Sequence, residues 1–161
     1  MKIALFNSGH GEDYLADLFI SSMLCWRSAQ IFTNYIPPYL FDQYPESDKL
    51  YGRGYSAFCS VPSSIQASHR ISVLPQADLI DCIQSENSSI NTIIYTSIWR
   101  YSDGLDQLLS HSKGSRCKRI IVLDGEDHQI LHECHADNLF YYKRELADGN
   151  HWARSISFCF P

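Results

Sequence analysis

From Ile3 to Phe6 the chain runs apolar without alternation into a glycine-rich turn, which predicts a strand buried on both faces. Beyond the turn the period changes. Leu15, Leu18, Phe19, Met23 and Trp26 recur at three- and four-residue steps, and Glu12, Asp13 and Asp17 gather near the start, where carboxylates favour a helix N-terminus. Gln30 to Ile36 is β-branched and aromatic and predicts a second strand, ended by Pro37-Pro38. From residue 37 to about 68 the pattern is irregular, with Pro37, Pro38, Pro45 and Pro62, Gly52 and Gly54, and six tyrosines and phenylalanines between Tyr39 and Phe58. That segment is too aromatic for a disordered linker and predicts an ordered insertion with short helical pieces.

Regular patterning resumes at Arg70–Leu74, a third strand, followed by a helix over Ala77–Ser85 with Leu79, Ile80 and Ile83 on its apolar face. Ile90–Ser97 predicts a buried strand, and Asp103 is placed to cap a helix carrying Leu105, Leu108 and Leu109. Lys118–Leu123 is the next strand, entered through Lys113-Gly114-Ser115. A helix over His128–His135, a short strand over Asn138–Tyr142 and a last apolar run at Ile156–Phe160 complete the prediction. Strands alternating with helices imply right-handed crossovers and an α/β fold, a mostly parallel sheet with helices on both faces and the insertion at 37–68. Within that sheet Ile3–Phe6, Ile93–Thr96 and Ile120–Leu123 are expected to be parallel neighbours, because none of the three alternates.

Composition narrows the picture. With 161 residues, 45% apolar and 13% aromatic, one domain over 1–161 is the expectation. The net charge of −5 is spread over both halves, so there is no basic face for duplex nucleic acid. The six cysteines stand at 25, 59, 82, 117, 134 and 159 with no C-x-x-C pair, and read as buried, reduced thiols of a cytoplasmic protein. The apolar N-terminal run is too short for a signal peptide, and no stretch approaches the ~18–20 apolar residues of a membrane span.

Ligands of open parallel sheets bind outside the carboxyl ends of the strands. Here those ends carry Ser8, Gly9, His10 and Gly11 after the first strand, Ser97 and Arg100 after the central one, and Asp124, Glu126, Asp127 and His128 after the next. Arg53, flanked by Gly52 and Gly54, is a further candidate, since such a backbone could aim its guanidinium at the same edge. The first turn either holds an anion on free backbone N–H groups or simply makes a tight turn capped by Ser8 or His10; it is neither G-x-G-x-x-G nor a P-loop. Asp124, Glu126, Asp127 and His128 could bind Mg²⁺ or serve as acid and base, or form a solvated turn. A phospho-acceptor receiver would need acids where Asn7 and Ser8 stand. His128, His132 and His135 would share one face of a helix, the spacing that chelates Zn²⁺, yet His132-Glu133-Cys134-His135 is not H-E-x-x-H. Nothing local ties Cys59 or Cys134 to His69 as a nucleophile pair, and neither Ser8 nor Ser97 sits in a G-x-S-x-G elbow. No metal and no cofactor is expected.

Three phrases, Tyr51-Gly52-Arg53-Gly54-Tyr55, Leu123-Asp124-Gly125-Glu126-Asp127-His128 and Tyr142-Lys143-Arg144-Glu145-Leu146, resemble segments of the N-terminal half of bacterial glycosyltransferase-like proteins related to the spore-maturation CgeB group. Their order matches too, and Ser155-Ile156-Ser157-Phe158 is similar to the strand that follows. The resemblance implies a Rossmann-like domain of the GT-B type, one of two such halves, in which the first usually binds the acceptor and the second most of the nucleotide sugar. Pro161 falls where the second half would begin. The function this implies is binding of a polar small molecule, sugar or nucleotide related, or of a partner protein, without catalysis by this chain alone. A small metal-dependent enzyme built on Asp124–His128 and a docking subunit displaying the aromatic insertion are the alternatives.

Overall fold

Lys2–Phe6 forms β1, and its flat apolar pattern is explained by its neighbours: parallel strands on both edges and packed side chains on both faces. The computed structural model describes residues 1–9, 11–50, 55–66, 68–111, 118–126, 130–134, 136–143 and 153–155. After β1 come α1 (Tyr14–Cys25), β2 (Gln30–Thr33), two 3₁₀ turns at Pro38–Leu40 and Ser47–Lys49, and a single-turn α2 (Ser63–Gln66). They are followed by β3 (Ile71–Val73), α3 (Gln76–Gln84), β4 (Thr92–Tyr95), α4 (Leu105–His111), β5 (Arg119–Asp124), β6 (Leu139–Lys143) and β7 (Ala153–Ser155).

The strands make one sheet in the order β3-β2-β1-β4-β5-β6-β7, and every pairing is parallel. The order reverses between β1 and β4, the Rossmann-like arrangement, so the right-handed crossovers before and after that point fall on opposite faces. On one face Ile3, Leu5, Ile31, Ile94 and Leu123 pack against α1 and the insertion. On the other Ala4, Phe6, Ile93, Tyr95, Ile120, Val122 and Tyr141 meet α3, α4 and the chain around Leu131–Ala136. Each of the larger aliphatic and phenylalanine side chains contributes about 1.5–3 kcal/mol by leaving water, and none could change face without shifting the whole strand register. The three apolar runs are therefore adjacent and parallel, as their patterning predicts.

The described residues of the insertion turn inward. Tyr39, Leu40, Phe41, Ala57 and Val61 are buried, Tyr55 and Phe58 pack on the same core, and Phe41 pairs with Val61 in an isolated parallel bridge. Its aromatic content fills the core under α1 and is not a displayed surface; Tyr51 lies outside the described residues.

Two expectations are corrected. Ile130–Cys134 is not helical: Cys134 is buried, Leu131 packs under it, and the His132 N–H bonds the Tyr141 hydroxyl at 3.0 Å where a helix would offer a carbonyl. The shared helical face for three imidazoles is thereby lost, and His128 and His135 lie outside the described residues. The cysteines are not uniformly buried either, since Cys25 is exposed while Cys134 is enclosed. The last strand precedes the apolar run at Ile156–Phe160, which is itself outside the described residues. No described helix is long and apolar enough to cross a membrane.

Candidate functional site

Where the strand order reverses, the chain leaves β1 and β4 toward opposite faces, the place outside the carboxyl ends at which open parallel sheets hold their ligands. Asn7, buried at the end of β1, ties this edge together. Its backbone N–H and C=O engage the Asn34 side-chain amide reciprocally, both at 2.8 Å. Its own Oδ1 accepts from the Ser8 N–H at 2.9 Å and from the Thr96 hydroxyl at 3.3 Å. The ends of β1, β2 and β4 are thus locked through two asparagine side chains, Asn34 on the Asn7 backbone and Asn7 on Thr96, that periodicity does not reveal.

The turn that follows uses left-handed backbone at Gly9 and Gly11, both at φ 67°. Space does not require glycine at Gly9, since a Cβ would make ordinary contact with the Tyr35 ring at 3.4 Å; the positive φ does. Ser8 is half-buried, Gly9 and Gly11 are exposed, and His10 lies outside the described residues. The cap of α1 is neither Ser8 nor His10 but Asp13, whose Oδ1 accepts from the Ala16 N–H at 3.1 Å, while Asp17 Oδ2 accepts from the Asp13 N–H at 3.0 Å. The Ala16 N–H and the N-cap's own N–H are thus taken by carboxylates of the same segment. A phosphate or other anion arriving there would meet the Glu12 and Asp13 carboxylates, with Asp13 already capping the helix.

Arg100 joins the turns. Its Nε lies 3.1 Å from Glu126 Oε1 and 3.6 Å from Asp13 Oδ2, and its Nη1 donates to the Glu12 carbonyl at 3.1 Å. Partial burial works against this charge, but Asp13 and Glu126 outweigh it and raise the arginine pKa. Ser97 adds a 2.6 Å bond from its hydroxyl to Asp13 Oδ2. Ser97, Arg100, Glu126 and the glycine turn are accordingly brought to one edge. Gly125 helps, because a Cβ there would stand 3.0 Å from Leu15 Cδ2, so glycine lets the β5 turn press onto the first turn of α1.

Asp124 has a different place. It is fully buried, and its Oδ1 accepts from Lys143 Nζ at 3.0 Å and the Glu126 N–H at 3.1 Å. Its Oδ2 accepts from the Tyr141 hydroxyl at 2.5 Å and Trp99 Nε1 at 2.9 Å. Four donors fill the acceptor directions of a carboxylate, so Asp124 braces the site from beneath and has none left for a ligand, a metal or a proton in transit. Lys143, equally buried, closes the network on the Glu126 carbonyl at 3.0 Å. Asp127, His128 and Arg53 lie outside the described residues. Trp99, fixed by Asp124, keeps part of its ring exposed, and its edge meets the His132 imidazole at 5.3 Å.

Behind the glycine turn the insertion meets α1. The Tyr39 hydroxyl lies 3.0 Å from Asp17 Oδ1 and 3.1 Å from the Gly11 carbonyl, and Tyr55 donates to the Tyr14 carbonyl. Burial pushes Asp17 up to about 7, with Asp13 and Glu12 adding to the rise against the lowering effect of its hydrogen bonds. Burial, then the Asp17 charge, also raises Tyr39. A separate apolar groove of about 470 Å³ lies beside α1, between Leu15, Leu18, Phe19 and the Ile121, Leu123 and Tyr142 side chains of β5 and β6. It lacks the polar groups of the strand-end edge. No family model, curated protein or solved structure matches the chain, so the fold and this geometry carry the functional argument.

Proposed function

We propose that the protein binds an uncharged, hydroxyl-rich small molecule, a sugar, at the edge above β1 and β4. The observation that carries this reading is the acid-capped glycine turn: where a dinucleotide fold would hold phosphate stand Glu12 and Asp13, with Asp13 capping α1. Carboxylates and a guanidinium with fixed positions accept from and donate to sugar hydroxyls. Glu126, Asp13 and Arg100 supply that mixture at one edge, and the partly exposed Trp99 ring adds an apolar face. The resemblance to glycosyltransferase-like N-terminal halves supports the same ligand class and suggests the acceptor. The proposal is for binding; transfer would need donor-binding groups that the described residues do not form. A metal-dependent reaction gains nothing from Asp124, whose oxygens are already engaged.

Saturation-transfer NMR and calorimetry with uncharged mono- and disaccharides, set against nucleoside diphosphates, test the proposal. Sugar binding that slows hydrogen exchange at residues 7–9, 11 and 97–100 is the expected result, weakened roughly tenfold in Arg100→Ala. Tighter binding of the diphosphates at the same amides would overturn it.

A further inference from the structure

Tyr39 has one hydroxyl proton and two acceptors, Asp17 Oδ1 at 3.0 Å and the Gly11 carbonyl at 3.1 Å. Were both oxygens bare acceptors, that one proton could serve only one of them: the exposed Gly11 carbonyl would be left to solvent, or the buried Asp17 oxygen would lack a donor, which is costly. Asp17 is 1% exposed and makes no ion pair with a described residue. The groups facing it are Asp13 and Glu12 at the start of its own helix, Tyr35 after β2, and Tyr39 and Tyr55 from the insertion. Arg100, from the loop after β4, acts on it only at longer range, being held by Asp13 and Glu126.

We propose that Asp17 is a positioning residue that carries a proton: its carboxyl O–H donates to the Tyr39 hydroxyl, which donates to the Gly11 carbonyl, clamping the glycine turn to the insertion. All three oxygens are then satisfied, and the remaining Asp17 oxygen still accepts from the Asp13 N–H at 3.0 Å. Ionisation turns the Tyr39 proton toward the carboxylate and releases the Gly11 carbonyl. Gly11 has no side chain of its own to anchor it, and the Tyr39 hydroxyl ties its carbonyl to the insertion. Because burial raises Asp17 to about 7, the clamp is set below neutrality and loosens above it. The proton assignment is independent of the ligand; only its consequence for sugar binding rests on the reading above.

The test compares wild type with Asp17→Asn, whose amide can still donate to Tyr39 and accept from Asp13, and with Tyr39→Phe. Isotope-edited infrared spectroscopy on aspartate-labelled protein is expected to show a protonated carboxyl band at about pH 6 that is absent from Asp17→Asn. One pH unit above the midpoint the neutral fraction is about one tenth. Exchange protection of the Gly11 and Glu12 amides, corrected for intrinsic rates, should therefore fall several-fold by about pH 8 in wild type. It should stay constant in Asp17→Asn and be low throughout in Tyr39→Phe. Absence of the band at about pH 6, or an equal fall in Asp17→Asn, overturns the proposal. If both readouts behave as expected while no sugar binds, the proton clamp stands and the ligand reading alone fails.

Discussion

Asp124 accepts four hydrogen bonds and Lys143 has no exposed surface, so each charge depends on the other for the loss of its water. Removing one partner strands the other. Lys143→Met is expected to cost about 3–5 kcal/mol in urea unfolding, and much of that should return in the Asp124→Asn, Lys143→Met double variant, where no buried charge remains. Asp17 predicts a stability change of opposite character. Its folded pKa lies above the ordinary carboxylate value of 3.8, at about 7, so the folded state holds a proton that the unfolded chain releases. Stability from this group is full below about pH 4 and is lost as pH rises to about 7, with a limiting slope of about 1.4 kcal/mol per unit. Asp17→Asn removes that dependence. Its stability relative to wild type should increase through the window and level off above it, as read by denaturant midpoints at a series of pH values.

At the scale of elements, caps and turns determine how α1, α3 and α4 meet the sheet. Asp13→Ala deletes the N-cap of α1 and the acceptor of the Ser97 hydroxyl, and a loss of about 1–2 kcal/mol in unfolding free energy is expected. Gly11 and Gly104 both have positive φ, at 67° and 78°, but they differ in surroundings. An alanine at Gly11 meets open space and should cost only the backbone term of about 1–2 kcal/mol. At Gly104 the added Cβ runs into the Cδ1 end of Ile80 of α3, which must turn aside within the core, so Gly104→Ala should be the more damaging of the two by up to about 1 kcal/mol. Equal thermal shifts in the two variants would contradict that packing.

Over the whole molecule, the reversal of strand order sends crossovers to both faces and lifts the polar turns to one edge. The chain carries a net charge of −5, and Glu12, Asp13 and Glu126 stand at that edge. Uncharged ligands are indifferent to this field and anionic ones are opposed by it. Sugar affinity should therefore vary by less than about twofold as salt is raised from low to several hundred millimolar, whereas any nucleoside diphosphate binding should strengthen as repulsion is screened. Calorimetry across that series reads the difference directly.

The unalternating runs at Ile3–Phe6, Ile93–Tyr95 and Ile120–Leu123 determine buried parallel strands by themselves, because a side chain's need to leave water is written locally. That the glycine turn, Ser97, Arg100 and Glu126 meet at one edge is legible too, since strand ends are placed once the strands are known. The helix over His128–His135 was misread because its spacing suits a helix while tertiary packing draws Leu131 and Cys134 into the core individually. Asn7 meets Thr96 across a separation of 89 residues, Tyr39 meets Asp17 across 22, and Lys143 meets Asp124 across 19. No periodicity encodes those meetings. Whether a polar side chain is a ligand contact, a brace or a proton carrier depends on which distant donors share its enclosure, and only the folded chain brings them there.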